Sequence, residues 1–363
     1  MIGFSRKVIF LCVFSFPLII LGDLNSKKAL IIGITGQDGS YLAEFLLNKG
    51  YQVHGTTRNI EKQNLTYMKK NYILHNAELA NASSILDVIK QVQPDEIYNL
   101  GAQSQVQISY EQPEKTIMTN MLGVMNILES LKELGLTRKT KFYQASSSEM
   151  FGRVAECPQS EKTSFNPQSP YAIAKVGAFW LTVNYRETYN IFACSGILFN
   201  HESPRRSDVF VTRKITQAVA NIKHGLQNTL HLGNLDAKRD WGYAKDYVES
   251  MWLMLQQQKP QDFIIATGQT HTVREFVEFA FKEIGIDIVW QGSGIKEKGI
   301  DKKSGKTFVV IDDRYFRPVE ANSCQGNAFK AQHELGWIPK TSFKELVKIM
   351  VEADCLLLEN KNK

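Results

Sequence analysis

Cysteine is scarce in this 363-residue chain. The five present, Cys12, Cys157, Cys194, Cys324 and Cys355, are odd in number and far apart, which excludes a disulfide framework and reads as reduced thiols. Histidine is sparse as well. Its seven copies are dispersed, none pairs at i and i+4, and the cysteines lack metal-ligand spacing, so no metal is expected. Basic runs are missing too. The formal charge of +6 is spread along the chain, which argues against a nucleic-acid face but allows local attraction for a phosphorylated small molecule. No internal repeat or low-complexity tract is visible.

Long apolar runs are confined to the amino terminus. Arg6-Lys7 precede Val8 to Leu21, about fourteen residues, short for a bilayer span and close to the middle region of a secretory signal. Three readings stand: a working signal or anchor, a hydrophobic organellar leader, or an extension upstream of the true start. The third is favoured, because everything after Lys27 looks like a reducing-compartment protein. The folded part is therefore expected to be cytoplasmic and off the membrane, with a secretory or organellar location left open by residues 1–26.

The whole chain is 43% hydrophobic and 22% charged, ample for one α/β body and a smaller subdomain. Apolar runs alternate with amphipathic stretches, as a doubly wound parallel sheet requires. Strands are expected at Lys28–Ile34, Tyr51–Thr57, Tyr72–His75, Glu96–Leu100, Lys141–Ser146 and Phe192–Phe199, with helices at Ser83–Gln91, Pro113–Glu133 and Ser169–Tyr189. The polar stretch Gln291 to Lys306, rich in glycine and lysine, reads as a surface loop. Phe343, Leu346, Val347 and Met350 form one stripe of a last helix, Ser342–Leu358, and read as core.

Two local patterns carry chemistry. The first strand runs into Thr35-Gly-Gln-Asp-Gly39 and then a helical pattern, with Gly33, Gly36 and Gly39 three apart. A strand, a glycine turn and a helix amino terminus form a cradle for a dinucleotide pyrophosphate. Arg58, at the end of the second strand, suits a ribose 2′-phosphate where an acidic residue would hold a 2′-hydroxyl, so NADP is expected over NAD. The second pattern is Tyr171-Ala-Ile-Ala-Lys175 following Ser146-Ser-Ser-Glu149. Four residues apart on a helix, Tyr171 and Lys175 share a face, where the ammonium is expected to favour the phenolate. A buried strand ending in polar residues would present Ser147 and Glu149 at the carboxyl edge of the sheet.

From Lys28 to Asp354 these segments resemble the extended short-chain dehydrogenase/reductase family and, within it, the GDP-mannose 4,6-dehydratase group. The resemblance rests on Gly36–Leu46, Tyr98–Ser104, Gly196–Arg206, Phe210–Ile215, Leu232–Val248 and Phe316–Pro318. Of these, Asn200–Arg206 and Lys238-Arg-Asp-Trp241 are far more selective than the glycines. It implies a Rossmann sheet with a smaller carboxyl-terminal α/β substrate subdomain: residues 27–200 mainly NADP-binding, 201–358 mainly nucleotide-sugar-binding with chain exchange between them, and 359–363 a tail.

The resemblance also implies roles. Tyr171 would take the proton from the sugar C4 hydroxyl as hydride passes to NADP⁺, with Lys175 holding the tyrosine and the nicotinamide ribose. Glu149 would remove the C5 hydrogen and assist loss of the C6 hydroxyl as water, and Ser147 would hydrogen-bond O4. The product, GDP-4-keto-6-deoxymannose, leads toward GDP-fucose or other GDP-6-deoxyhexoses. Cofactor contacts would come from Gly33, Gly36, Gln37, Asp38, Gly39, Arg58, Glu78, Leu79, Leu100, Ala102 and Ser104. Ser104, Asn200, Lys214, Arg239, Arg317 and Glu320 would contact GDP-mannose, the cations pairing with its diphosphate.

Departures from the family pattern are Ser147 for a usual threonine, Glu78 for a common aspartate, Gln105 for a frequent histidine, and a short Ile60 to Lys70 segment after Arg58-Asn59. The last favours a homodimer through the Pro113 and Ser169 helices, with a tetramer left open. Two other readings are a nucleotide-sugar 4-epimerase or 4-keto reductase, which needs no C5 base, and a silent NADP-binding regulator. Asn200 as a helix cap, Glu149 as a helix-start carboxylate and Lys214 as helix surface are the structural alternatives.

Overall fold

Strands buried on both faces need near-continuous apolar sequence, and the β-branched run Lys28-Ala-Leu-Ile-Ile32 supplies it for the centre of the main sheet. A computed structural model of the chain describes residues 26–58, 71–154, 156–315 and 325–361. In chain order, β1 (Lys28–Ile32), α1 (Gln37–Asn48), β2 (Gln52–Thr57), β3 (Tyr72–Asn76), α2 (Ala82–Val92) and β4 (Glu96–Asn99) come first. Then follow α3 (Val106–Glu111), α4 (Pro113–Ile117), α5 (Gly123–Glu133), β5 (Lys141–Ser147), α6 (Pro170–Tyr189), β6 (Ala193–Leu198) and β7 (Asn200–Glu202).

The chain continues through α7 (Val211–Lys223), β8 (Leu230–Leu232), β9 (Lys238–Arg239), β10 (Trp241–Tyr243), α8 (Ala244–Gln256) and β11 (Phe263–Ile265). It ends with β12 (His271–Thr272), α9 (Val273–Lys282), β13 (Ile288–Gln291), β14 (Lys298–Asp301), β15 (Thr307–Ile311), α10 (Phe329–Leu335) and α11 (Phe343–Lys361). The main sheet is parallel throughout, in the order β11-β6-β5-β4-β1-β2-β3. This is the doubly wound Rossmann arrangement expected from the alternation of apolar runs. The strand order reverses between β1 and β4, and in such sheets the crevice beyond the carboxyl ends of those two strands is where ligands bind.

Each face of the sheet has its own core. Leu42, Leu46, Met251 and Leu255 of α1 and α8 cover one face; Ile85, Ile89, Ile127 and Leu131 of α2 and α5 cover the other. A third core gathers α7, α9 and α11 over a four-stranded sheet, β13-β14-β15-β8, with Val219, Phe276, Val309 and Leu346 fully buried. Short ladders tie this region to the main sheet: β7 pairs with β10 in parallel, and β9 with β12 antiparallel.

Two expectations are corrected. The stretch Gln291 to Lys306 is not a loop throughout: its exposed ends flank β14, which pairs on one side with β13 and on the other with β15, which itself pairs with β8. Backbone pairing, not side-chain apolarity, holds that strand, and a Cβ added at Gly299 would lie 3.0–3.1 Å from the side chains of Val309, Ile288 and Trp290, which would have to give way. The helix read as continuous from Pro113 to Glu133 contains a π turn at Met118–Leu122 between α4 and α5. Within that turn the buried Asn120 accepts from the Gln103 N–H at 2.8 Å and donates to its carbonyl at 2.9 Å, fixing the loop after β4. The amino-terminal apolar run and the Asn59–Lys70 segment lie outside the described residues. No described helix is long and apolar enough to cross a membrane.

Candidate functional site

The turn after β1 is built from glycine for two separate steric reasons. Gly33 has φ +84°, in the left-handed region, and an added Cβ would lie 2.9 Å from the backbone of Gly101 across the switch point. At Gly39 an added Cβ would sit 2.4 Å from the Gly33 carbonyl, so α1 can approach β1 closely only without one. Gly36 accepts the Ser40 N–H and caps α1 with no side-chain cap bond, leaving orphan amides at a helix amino terminus.

These amides open into a cavity of about 570 Å³. Gly33, Gly36, Gln37, Asp38, Gly39, Arg58, Glu78, Leu79, Leu100, Ala102 and Ser104 all line it. Every residue named from sequence as a cofactor contact, apart from Tyr171 and Lys175, therefore falls on one wall or another of the same crevice. Arg58 is exposed at the end of β2. The bare helix terminus and the glycine floor fit a dinucleotide pyrophosphate, and the exposed guanidinium fits an additional phosphate. Arg206, outside the sequence-based site, also lines this cavity. Its Nε lies 3.2 Å from Glu202 and its guanidinium stands 3.6 Å over the Phe210 ring.

A second cavity, about 540 Å³, is lined by Asn200, Lys214 and Arg239 together with Phe210, Leu232, Asn234 and Tyr315. Gln105 lines both cavities, so the two adjoin across the loop pinned by Asn120. Asn200 opens β7, opposite Trp241 of β10. Arg239 is 7% exposed and sits beside Asp240, whose carboxylate accepts from Thr267 and Gly268 at 2.6–2.9 Å and so fixes the β9–β10 corner. Lys214 is more than helix surface. Its Nζ is buried with no hydrogen-bond partner, lies 3.1 Å from the centre of the Tyr315 ring, and burial pulls its pKa down. An orphaned ammonium on a cavity wall is costly unless an anion completes it. Arg317 and Glu320 lie outside the described residues.

The residues suited to proton transfer sit at the end of β5 and the start of α6. Ser147 ends β5, and Glu149 follows in a single 3₁₀ turn, its amide donating to Ser147 Oγ at 3.2 Å. Ser169 caps α6 by accepting the Ala172 N–H at 3.1 Å, which sets Tyr171 and Lys175 in the first two turns. The Tyr171 hydroxyl is pushed up to about 12 by burial, while a hydrogen bond with Ser147 pulls the other way and the Glu149 carboxylate adds to the rise. Lys175 is brought down to about 8 by burial; its Nζ donates to the Ala145 carbonyl at 2.8 Å and stands 5.9 Å from the Tyr171 ring centre. The two side chains share a face of α6, but Lys175 donates to the Ala145 carbonyl and burial, not the ammonium, sets the resting protonation of the Tyr171 phenol.

The family model described as GDP-mannose 4,6 dehydratase matches residues 30–350. The chain belongs to the GDP-mannose 4,6-dehydratase family. Relatives of that name are 53% identical in Dictyostelium discoideum, over 93% of this chain and 98% of that protein, and 52% identical in Homo sapiens, over 93% and 94%. The same fold appears in UDP-glucose 4-epimerase with UDP-glucose from Thermotoga maritima, with TM-score 0.78, 22% identity, and coverage of 91% of this chain and 99% of that one. It appears again in dTDP-glucose 4,6-dehydratase from Bacillus anthracis in complex with NAD, with TM-score 0.74, 22% identity, and coverage of 93% and 98%. The two cavities gather the sequence-predicted cofactor contacts other than Tyr171 and Lys175, together with Asn200, Lys214 and Arg239. What that reasoning missed is Arg206, Phe210 and Tyr315. Arg206 and Phe210 stand within the selective stretches already quoted, whereas Tyr315 is recognisable only from its place over Lys214.

Proposed function

We propose that the protein is an NADP-dependent GDP-mannose 4,6-dehydratase, a hydro-lyase. The observation that carries this reading is the placing of Glu149 two residues beyond Ser147, inside the 3₁₀ turn that Ser147 caps, with its carboxylate raising the pKa of the Tyr171 hydroxyl. A 4-epimerase or 4-keto reductase needs a tyrosine and a lysine but no base for C5, and a silent binder needs none of the three. The nicotinamide cofactor, held by the glycine turn and Arg58, would supply reversible hydride transfer. Tyr171 takes the C4 hydroxyl proton, and Ser147 donates to O4. Lys175, cationic below about pH 8, favours the phenolate form of Tyr171 that takes this proton. Once C4 is a ketone, the C5 hydrogen is acidic enough for Glu149 to remove it, and the same group, now protonated, returns that proton to the departing C6 hydroxyl. The hydride taken from C4 would then return to C6 as C5 regains a proton from solvent. Asn200, Lys214 and Arg239, with Arg317 and Glu320, bind the GDP portion, the cations facing its diphosphate.

Mass spectrometry of GDP-mannose, UDP-glucose and dTDP-glucose incubated with protein starting near Lys27 and NADP⁺ tests the reading. Loss of one water from GDP-mannose alone is expected. Water loss from another sugar alone, or none from any, overturns it.

Arg58→Ala separates the cofactor from the reaction. Removing a charge-assisted contact to a 2′-phosphate should lower the preference for NADP over NAD by roughly tenfold to a hundredfold. An unchanged ratio of the two kcat/KM values would remove the assignment of NADP. The assembly is proposed to be a homodimer through α4 and α6. Ile173 and Trp180, seven apart on α6, are 51% and 56% exposed, and Ile117 and Met118 are exposed nearby. Trp180→Glu is expected to turn a dimer into a monomer in light scattering after size exclusion, and a wild-type monomer would refute the assembly.

A further inference from the structure

Both ring nitrogens of His201 face acceptors. Nδ1 lies 2.8 Å from the Phe199 carbonyl and Nε2 lies 2.8 Å from Asp38 Oδ2. A neutral imidazole carries one N–H and satisfies one such partner, whereas an imidazolium satisfies both. The ring is buried and stacked on Tyr247 with centroids 4.8 Å apart, which leaves it no room to turn one nitrogen to water.

The partners join two parts of the protein that are distant in sequence. Asp38 lies in the first turn of α1, on the cofactor cavity, and its other oxygen accepts from Gln37 Nε2 at 3.0 Å. That amide also donates to the His201 carbonyl at 3.0 Å, while Ser203 Oγ donates to Gln37 Oε1 at 2.8 Å. His201 itself is the middle residue of β7, whose other two members, Asn200 and Glu202, line the second cavity. The glycine cradle and the substrate strand are thus tied through one charged ring and one amide.

We propose that His201 is a positioning residue that works as an imidazolium interlock, fixing α1 against β7 so that filling the cofactor cavity favours filling the substrate cavity. The inference rests on the proposed reading of the two cavities. Facing the ring are Asp38 from α1, Arg206 from the loop after β7 and the Tyr247 face from α8. Glu202, next along β7, is engaged by Thr212 and Arg206, and Arg205 is engaged by Glu44. Burial alone would lower the His201 pKa, but Asp38 and the Phe199 carbonyl carry it above the ordinary 6.5. Burial would raise Asp38, yet His201 and Gln37 hold it below the usual carboxylate range. The signs set a window. The histidine's contribution is complete below 6.5 and lost as pH rises through its raised value. The aspartate's is complete above the ordinary carboxylate pKa and lost as pH falls through its lowered value. Between those two limits both partners are charged.

The test pairs a charge measurement with a coupling measurement. In ¹⁵N-histidine-labelled wild-type protein, an NMR pH titration should show one ring that keeps both nitrogens protonated above the ordinary 6.5, absent in His201→Gln. A ring that has already become neutral below 6.5 overturns the interlock. For coupling, the GDP dissociation constant is measured by calorimetry with and without saturating NADP⁺. Wild type should bind GDP roughly five- to tenfold tighter with NADP⁺. The ratio should fall toward one in His201→Gln and in Asp38→Asn, the second variant guarding against a folding failure in the first. An unchanged ratio in folded variants would make His201 a packing residue and overturn the proposal. Wild-type protein that binds neither probe would overturn the reading of the cavities, and the coupling with it, while the NMR result would still decide the charge on the ring.

Discussion

Glu149→Gln should lower kcat for water loss from GDP-mannose by on the order of 10³-fold, with GDP and NADP⁺ affinities changed less than about twofold. The substitution is nearly isosteric, and the Glu149 backbone amide still reaches Ser147 Oγ, so the turn keeps its shape. What it removes is a group able to accept a proton. The defect should therefore be confined to C5: incubation in deuterium oxide labels C5 in wild-type turnover and should not do so in the variant. Tyr171→Phe is expected to be about as slow for a different reason, because the C4 hydroxyl keeps its proton and no ketone forms to acidify C5. A Glu149→Gln protein with normal turnover would dismiss the elimination mechanism and return the epimerase reading to first place.

The same geometry sets an alkaline limit. The Tyr171 hydroxyl, pushed up to about 12 by burial, is mostly protonated at neutral pH, so under the proposed mechanism it takes the C4 proton only in its minor phenolate form, which needs a cation beside it. Lys175 is that cation, and its proton is lost as pH rises through about 8. The alkaline arm of kcat should therefore fall well below the ordinary lysine range near 10.4. The sequence placed these two residues on one face correctly, but it carried no information on desolvation, which depends on what α6 packs against.

That contrast holds across the molecule. The β1 turn, its glycines and α1 were legible because a short-range pattern decides them: a β-branched run, steric need at Gly33 and Gly39, and helical spacing after Ser40. The ladder of β13, β14 and β15 was not. Lys298-Gly-Ile-Asp301 looks like solvent-exposed loop until β15 pairs with it, and β15 in turn leans on β8, whose Leu230 stands opposite Val309. No local periodicity encodes such a partner. Lys214 shows the same limit at the site. From its own helix it is as good a surface lysine as any, and only the distant Tyr315 and the cavity beside it make its ammonium an unsatisfied group.

The neighbour of Lys214 on α7 carries the largest expected effect on stability. Arg213 and Asp354 form an ion pair between α7 and α11, at 5% and 4% exposure, inside the carboxyl-terminal core. Asp354→Ala leaves the Arg213 guanidinium buried without its carboxylate and should cost about 3–5 kcal/mol, a large part of the 5–15 kcal/mol typical of a whole protein. Urea unfolding should show this as a lowered midpoint. Because the cost comes from one stranded charge rather than from lost attraction, Arg213→Met combined with Asp354→Leu should recover most of it, an apolar pair filling similar space without desolvation. If Asp354→Ala unfolded within about 1 kcal/mol of wild type, the pair would be no more than a screened surface contact. The consequence should also reach the second cavity. Arg213 precedes Lys214 in the chain, so loosening α7 from α11 moves the lysine away from Tyr315, and Asp354→Ala should raise KM for GDP-mannose several-fold while the double variant restores it. That recovery would separate anchoring of the helix from any direct role of Asp354 in binding, since leucine at that position offers nothing to a diphosphate.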